Sequence, residues 1–454
     1  MRKAKIRDLL FPVLVTFGVL FFSSCSIVPK GNYAMRVEQD LQRAADWSLQ
    51  ENAKEVTCLK ELINAPELDA LIEEALTANP NLQQTVLALK ITQAQRRVAT
   101  GERLPEVAFD ASAEKDEGED ENFSGSLSIS WELDLWQKLA DSENAAMMDE
   151  QEQQALLAAA RTSLVGQVMT EWLGLTHDQR TINIEELRLV NLEKNELYIM
   201  QRYRNGIGTL EDLDSARAST SVSKASLAEY EESLAQRQRV LKTLLGRIGT
   251  ENLAVKSLYP EVLTPLADLP EQTLQRRPDL QAAYFAIESA NLRTSVAYKD
   301  LLPSISLDAA LKDIGDSPSS MLLSDPVWVL LGQLTAPLFQ GGKLRAEVEV
   351  AELTTAQNFE VYRETLLEAI SEVENALSFE QSLTARQSHI TSALSSARDS
   401  LERYQESYRS GLVDILDLLI VQGKTFDLAS QLDNLLYERL ANRIDLGLAL
   451  GLGV

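Results

Sequence analysis

The chain has 454 residues, of which 45% are hydrophobic and 24% are charged, and its formal net charge is −25. This balance is typical of an ordered protein, because disordered chains have too few apolar residues to form a core. A strongly acidic chain repels phosphate backbones, so the composition argues against nucleic-acid binding.

The N-terminus has the layout of an export signal. The basic stretch MRKAKIR precedes a mostly apolar segment, and two serines stand directly before Cys25. This arrangement resembles a bacterial lipoprotein signal, although Phe22 stands where that signal prefers leucine. The alternative is an ordinary signal peptide with an incidental cysteine nearby. We expect residues 1–24 to be the signal peptide, residues 25–62 an N-terminal anchor segment, and Cys25 the lipidated (palmitate-bearing) residue.

The remaining chain offers neither a disulfide framework nor a spanning helix. Cys58 is the only other cysteine, so no pair is left once Cys25 is acylated. No other run of 18 apolar residues occurs, and a spanning helix needs about 20. We therefore expect any membrane crossing to be made by strands.

The sequence contains an internal duplication. Residues 79–111 align with residues 277–309 without a gap and share ten identical positions. The similarity continues, since DLWQKL corresponds to PLFQGGKL and YRNGIGTLEDL corresponds to YRSGLVDILDL. We divide the mature chain into a first repeat over residues 63–259 and a second over residues 260–454.

Each half is predicted to contain a helix, two strands and two long helices. The first helix begins near Pro80 or Pro278 and ends before a Leu-Pro pair, because a residue before proline is pushed out of helical dihedral angles. Alternation of apolar and polar residues then predicts strands. We place these strands at about 104–113, 123–133, 302–312 and 327–338. The fourth alternates poorly.

The segments after the strand pairs are predicted to be long helices. From about residue 140 to Arg204 the sequence is rich in strong helix formers, which predicts one helix of roughly 65 residues and roughly 100 Å. Glycines at the tip then reverse the chain, since glycine readily takes positive φ. The returning helix is expected to end near Gly249, and the second half repeats the pattern. The fold class is therefore mainly α with a small β part.

Four strands of about ten residues match the reach of a tilted membrane strand. Open strand edges in hydrocarbon cost several kcal/mol for each unpaired group. Bacterial barrels that close within one chain use at least eight strands, so four per chain predict that several copies share one barrel. A soluble sandwich with its apolar faces packed together is the alternative.

Several motifs in order resemble the outer-membrane efflux protein family, whose members are TolC-like channels. These are WELDLW, RRPDL, AYKDLLPSISL, PLFQGGKLRA and YRSGLVDILD, and the lipoprotein-like signal resembles the NodT or OprM-like branch. The resemblance implies a homotrimer in the outer membrane, with a 12-stranded transmembrane β-barrel continued by a long periplasmic α-helical barrel. It also implies a periplasmic adaptor protein, an inner-membrane pump and no enzymatic chemistry.

The resemblance also assigns a gate. The family closes its periplasmic end with acidic residues in a V-D-x-L-D pattern, and residues 413–417 match it with Asp414 and Asp417. Three copies would place six carboxylates around one opening, and crowded carboxylates favour cations. The first repeat has Thr209 and Asp212 at the equivalent tip. The alternative is a pair of solvated acids at a helix start, favoured by the helix dipole.

The tip turns resemble the segments through which the family contacts its adaptor. They contain Gly206, Gly208 and Gly411. Plain helix reversals explain these glycines equally well.

Two other classes of function compete with a channel. Both histidines, His177 and His389, are isolated in helical stretches, and no metal-ligand spacing, nucleophile motif or phosphate loop occurs, so we expect neither an enzyme nor a cofactor. A lipid-anchored periplasmic coiled-coil protein would explain the long helices but not the strands. The sequence leaves open whether the exported substrate is a drug, a metal ion, a metabolite or a peptide.

Overall fold

The computed structural model describes residues 32–42, 54–117, 120–249, 251–265 and 270–454. The predicted signal peptide and Cys25 lie outside these residues. No helix in the described ranges is both long enough and apolar enough to cross a bilayer.

Helices dominate the described chain, and four strands form the one sheet described. The helices are α1 (Tyr33–Gln42), α2 (Pro66–Ala78), α3 (Pro80–Glu102), α4 (Lys138–Arg204), α5 (Leu210–Leu244), α6 (Pro270–Arg276), α7 (Pro278–Lys299), α8 (Lys343–Arg409) and α9 (Ile415–Ala449). The strands are β1 (Glu106–Glu114), β2 (Asn122–Glu132), β3 (Ser304–Gly315) and β4 (Val327–Thr335). The order helix, strand, strand, long helix, helix occurs twice, which confirms the predicted duplication.

The chain forms two compact units that both draw on each repeat. The sheet unit contains Leu89–Gln153, Ala282–Arg363 and the described part of Met1–Gln39. The helical unit contains the described parts of Asp40–Ala88, Gln154–Gln281 and Glu364–Val454. Sequence repeats and compact units therefore divide the chain differently.

The sheet is antiparallel throughout, in the order β1-β2-β3-β4. One row of paired residues across it is apolar: Phe109, Leu127, Leu311 and Trp328. The adjacent row on the other face is mostly polar: Asp110, Ser126, Lys312 and Val327. The alternation therefore predicted both the strands and their shared apolar face.

The predicted end of the fourth strand was wrong. It ends at Thr335 rather than near residue 338, because Pro337 has no backbone N–H for the ladder. The start of β4 matches the prediction, and the bounds of β1, β2 and β3 differ from it by one to three residues.

Side chains fix the junction between β2 and α4 in the sheet unit. The Asp134 carboxylate accepts hydrogen bonds from the backbone N–H groups of Leu139 (3.1 Å) and Ala140 (2.8 Å), which satisfies donors at the start of α4. The indole N–H of Trp136 donates to the carbonyl of Pro303 at 2.6 Å. These bonds hold the first residues of α4 beside the start of β3.

In the helical unit, a polar side chain directly before α3 or α7 bonds to a carbonyl at the end of the returning helix of the same repeat. The residue differs between the repeats. The Asn79 amide donates to the Leu244 carbonyl at 2.9 Å, and the Arg277 guanidinium donates to the Ala449 carbonyl at 3.1 Å. The predicted end of α5 near Gly249 was wrong, because Gly246 takes a φ of 69° directly after the cap residue Leu245 and ends the helix earlier.

A buried polar cluster in the helical unit holds the segment around Tyr259, which follows α5. Asp433 of α9 accepts hydrogen bonds from His177 Nδ1 (3.1 Å), from the Tyr259 hydroxyl (3.0 Å) and from Arg180. The His177 ring also stacks on Tyr437, with centroids 4.8 Å apart. His177, isolated in the sequence, is therefore part of a network that joins α4, α9 and the segment around Tyr259.

Candidate functional site

The two helix tips share one backbone motif. At the first tip, the N–H of Gly206 donates to Tyr203 O and that of Ile207 to Arg202 O, both at 3.0 Å. At the second, Gly411 and Leu412 make the equivalent bonds to residues 408 and 407. This is a Schellman motif, which satisfies carbonyl groups at a helix end through a residue with positive φ.

The three predicted tip glycines have two different roles. Gly206 (φ 74°) and Gly411 (φ 75°) occupy the left-handed position of the motif, where a side chain is unfavourable. Gly208 instead lies close to the end of α4, and a Cβ there would be 3.1 Å from Tyr203 N and 3.2 Å from Arg202 Cβ. Backbone conformation or close packing thus explains each glycine, and their contact with an adaptor stays a prediction.

The helices that leave the tips begin with different caps. Thr209 and Asp212 form a capping box before α5, with Oγ1 of Thr209 accepting from Asp212 N at 3.1 Å and Oδ2 of Asp212 accepting from Thr209 N at 3.3 Å. Asp414 is the cap of α9, and its carboxylate accepts from Ile415 N. Asp417 lies in the first turn of α9, where the helix dipole favours a negative charge.

An apolar cluster holds α4, α5 and α9 together near the tips. It consists of buried residues from these three helices: Ile199, Leu213, Ala216, Ile415 and Leu418. Because Ile415 and Leu418 point into this cluster, Asp414 and Asp417 on the same turn remain exposed. The arrangement presents both carboxylates on the surface of the chain.

Arg202 is a positive group whose electrostatic surroundings include Asp414 of the predicted gate. The neighbouring Tyr408 side chain raises the pKa of Arg202, and the negative charge of Asp414 raises it further, while burial opposes both effects. The Tyr198 and Tyr408 rings meet edge to face with centroids 5.8 Å apart. None of these three residues was predicted from the sequence, although Tyr198 and Arg202 are spaced for one helix face.

The structure of one chain agrees with both interpretations of Asp414 and Asp417, as part of a gate and as solvated acids at a helix start. Asp414 caps a helix and Asp417 follows it, as expected for solvated acids at a helix start. Both are also exposed at a tip, as a gate requires. A ring of carboxylates needs several copies, so the gate stays a prediction.

Known proteins share both the sequence pattern and the fold. The profile of the outer membrane efflux protein family matches residues 71–247 and 269–452. The cation efflux system protein CusC of Escherichia coli O6:H1 is 26% identical over 396 residues, which cover 85% of this chain and 86% of that protein. The probable outer membrane lipoprotein SilC of Salmonella typhimurium is 26% identical over 401 residues, which cover 86% of both. The crystal structure of the Campylobacter jejuni CmeC outer membrane channel is 19% identical with a TM-score of 0.81 and covers 94% of both chains.

Proposed function

The chain belongs to the outer membrane efflux protein family, and we propose that three copies of it together form a single channel. As a member of this family, it is the outer-membrane channel component of an efflux system. The observation that supports the trimer is the sheet, which has one apolar face and only four strands. Three such sheets supply twelve strands, enough for a closed barrel without exposed edges.

The same proposal gives the long helices a role. Helices α4 and α8 each have 67 residues, a length of about 100 Å at 1.5 Å per residue. In the proposed trimer they and their returning partners α5 and α9 form a helical barrel across the periplasm. The tips of this barrel meet a periplasmic adaptor and, through it, an inner-membrane pump that selects the substrate.

The competing proposal, a lipid-anchored coiled-coil scaffold, leaves the sheet without a purpose. An apolar sheet face exposes Phe109, Ile129 and Leu334, and it is stable in lipid but not in water. Fractionation separates the two proposals. A heat-modifiable oligomer in the outer membrane supports the channel, and a carbonate-extractable elongated monomer supports the scaffold.

A pair of adjacent substitutions tests the channel directly. Leu311 lies on the apolar face and Ala310 on the opposite face of β3. Leu311→Arg is expected to prevent assembly, because arginine facing lipid near the bilayer centre costs about 2–4 kcal/mol. Ala310→Arg is expected to leave a trimer that conducts less in planar bilayers. If both variants assemble equally, or if the wild-type protein forms no pore, the channel proposal is wrong.

We also propose that Cys25 carries the lipid anchor. Tyr33 of α1 packs on Phe359 of α8, with ring centroids 5.4 Å apart. Phe359 lies about 24 Å along the helix axis from the start of α8. The segment from Cys25 to Tyr33 can extend over about 26 Å. The chain is therefore long enough to bring Cys25 to the end of α8 nearest the sheet, where the membrane would lie.

Metabolic labelling tests the anchor. The wild-type protein is expected to incorporate labelled palmitate, and Cys25→Ser to lose the label. Cys58→Ser, which removes the other cysteine, is the matched control and is expected to keep it. Labelling that persists in Cys25→Ser would place the lipid elsewhere.

A further inference from the structure

Strand β4 has apolar side chains on both faces. Trp328, Leu330 and Leu334 share the apolar face of the sheet, whereas Val329 and Leu331 point to the opposite face. The other strands line that opposite face mainly with small and polar residues. Val329 and Leu331 are 45% and 52% exposed. The polar face of the sheet therefore contains one apolar strip.

The register places negative charge beside this strip. Leu331 is paired with Asp308, and Ser130 connects Asp308 to Glu106 in the same row of the polar face. Side chains of directly paired residues have Cβ atoms about 4.5–5.5 Å apart, so the Asp308 carboxylate adjoins Leu331. On the same face, Lys312 is paired with Val327 instead, at the other end of the strip.

Assembly would not cover the strip. Pairing of β4 with a strand of a neighbouring copy uses backbone groups at the strand edge and leaves both faces as they are. In the trimeric barrel proposed above, the polar face lines the passage, so Val329 and Leu331 of each copy face water. Apolar surface in contact with water is stabilised when another apolar group covers it.

We propose that Val329, Leu331 and Asp308 form a transit site for amphiphilic organic cations. The apolar group lies on Val329 and Leu331, and the cationic group lies by Asp308, away from Lys312. Charge complementarity selects this occupant, because the acids of the row attract cations and repel amphiphilic anions. The proposal rests on the trimeric channel and names a class of solute that its wall binds.

Block of single channels by two cations tests the site. Tetramethylammonium and hexyltrimethylammonium have the same charge, and only the second carries an apolar chain. In the wild-type channel, hexyltrimethylammonium is expected to block at lower concentration when added from the β-barrel side. Val329→Ser combined with Leu331→Ser is expected to weaken that block about tenfold and leave tetramethylammonium block unchanged. Asp308→Asn is expected to weaken block by both cations equally.

Two controls keep the outcome decisive. Leu330→Ala changes the same strand on its apolar face and is expected to leave block unchanged. Val329→Thr keeps the side-chain shape and tests the strip if the serine variant does not assemble.

A conducting channel whose block is the same in all variants overturns the transit site but not the channel. A serine variant that conducts more than the wild type but keeps the same difference in block between the two cations also overturns the site. Absence of any pore overturns the channel itself.

Discussion

Replacing Asp414 and Asp417 together by alanine is expected to raise the single-channel conductance severalfold and to weaken block by multivalent cations. Both carboxylates are exposed at the start of α9, Asp414 as its cap and Asp417 in its first turn, so three copies would bring six of them around one opening. Crowded negative charges bind multivalent cations and restrict passage. Planar-bilayer recordings with and without a trivalent cation measure both effects.

The alanine variant alone does not separate charge from structure. Asp414 is also the cap of α9, and replacing a capping aspartate by alanine costs about 1 kcal/mol. The double variant Asp414→Asn with Asp417→Asn is the matched control, because asparagine caps a helix as well as aspartate and has no charge. If this control reproduces the alanine result, charge is responsible. Wild-type conductance and block in both double variants would contradict the gate and favour a pair of solvated acids.

Local signals in the sequence were sufficient for the repeating elements. Period-two alternation predicted β1, β2 and β3, and the run of helix formers predicted α4 to within a few residues. The tip glycines Gly206 and Gly411 predicted the reversals, because few other residues take their positive φ values. Each of these features depends on neighbouring residues in the chain.

Features that depend on residues far apart in the chain were missed. One local feature was missed as well: helix α2 directly precedes Asn79, and no helix was predicted there because Pro80 was taken as the first helical start. The interaction of Arg202 with Tyr408, and that of His177 with Asp433, each join residues more than 200 positions apart. Neither pair has a spacing that a sequence pattern could reveal.

The two faces of β4 illustrate the same limit. Its weak alternation was visible in the sequence, but the sequence did not show that Val329 and Leu331 lie on the polar side. That assignment needed the register with β3, where Ala310 and Asp308 are their partners. Poor alternation thus marked a real departure from the other strands, and not an absent strand.

Replacing Asp433 by alanine is expected to destabilise the protein by about 3–5 kcal/mol, because it leaves Arg180 and His177 without their buried acceptor. The Asp433 side chain is 2% exposed, and Tyr259 loses its hydrogen bond in the same variant. Circular dichroism at 222 nm during heating measures the change through the midpoint of helix loss. Asp427→Asn is the matched control, since Asp427 is an exposed acid of the same helix paired with Arg188, and exposed pairs contribute about 0–1 kcal/mol.

The pH dependence of stability tests whether the charge of Asp433 causes the stabilisation. Burial opposes ionisation of Asp433, but hydrogen bonds from His177 and Arg180 outweigh it and hold the pKa of Asp433 below its usual value. A carboxyl with a lowered folded-state pKa stabilises the fold above its unfolded pKa of about 3.9 and loses this contribution as the pH falls through the folded value. The wild-type protein is therefore expected to exceed Asp433→Asn in stability near neutral pH, and the gap is expected to shrink below about pH 4. A gap that stays constant down to pH 2, or an equal loss in Asp427→Asn, would contradict this role for the Asp433 carboxylate.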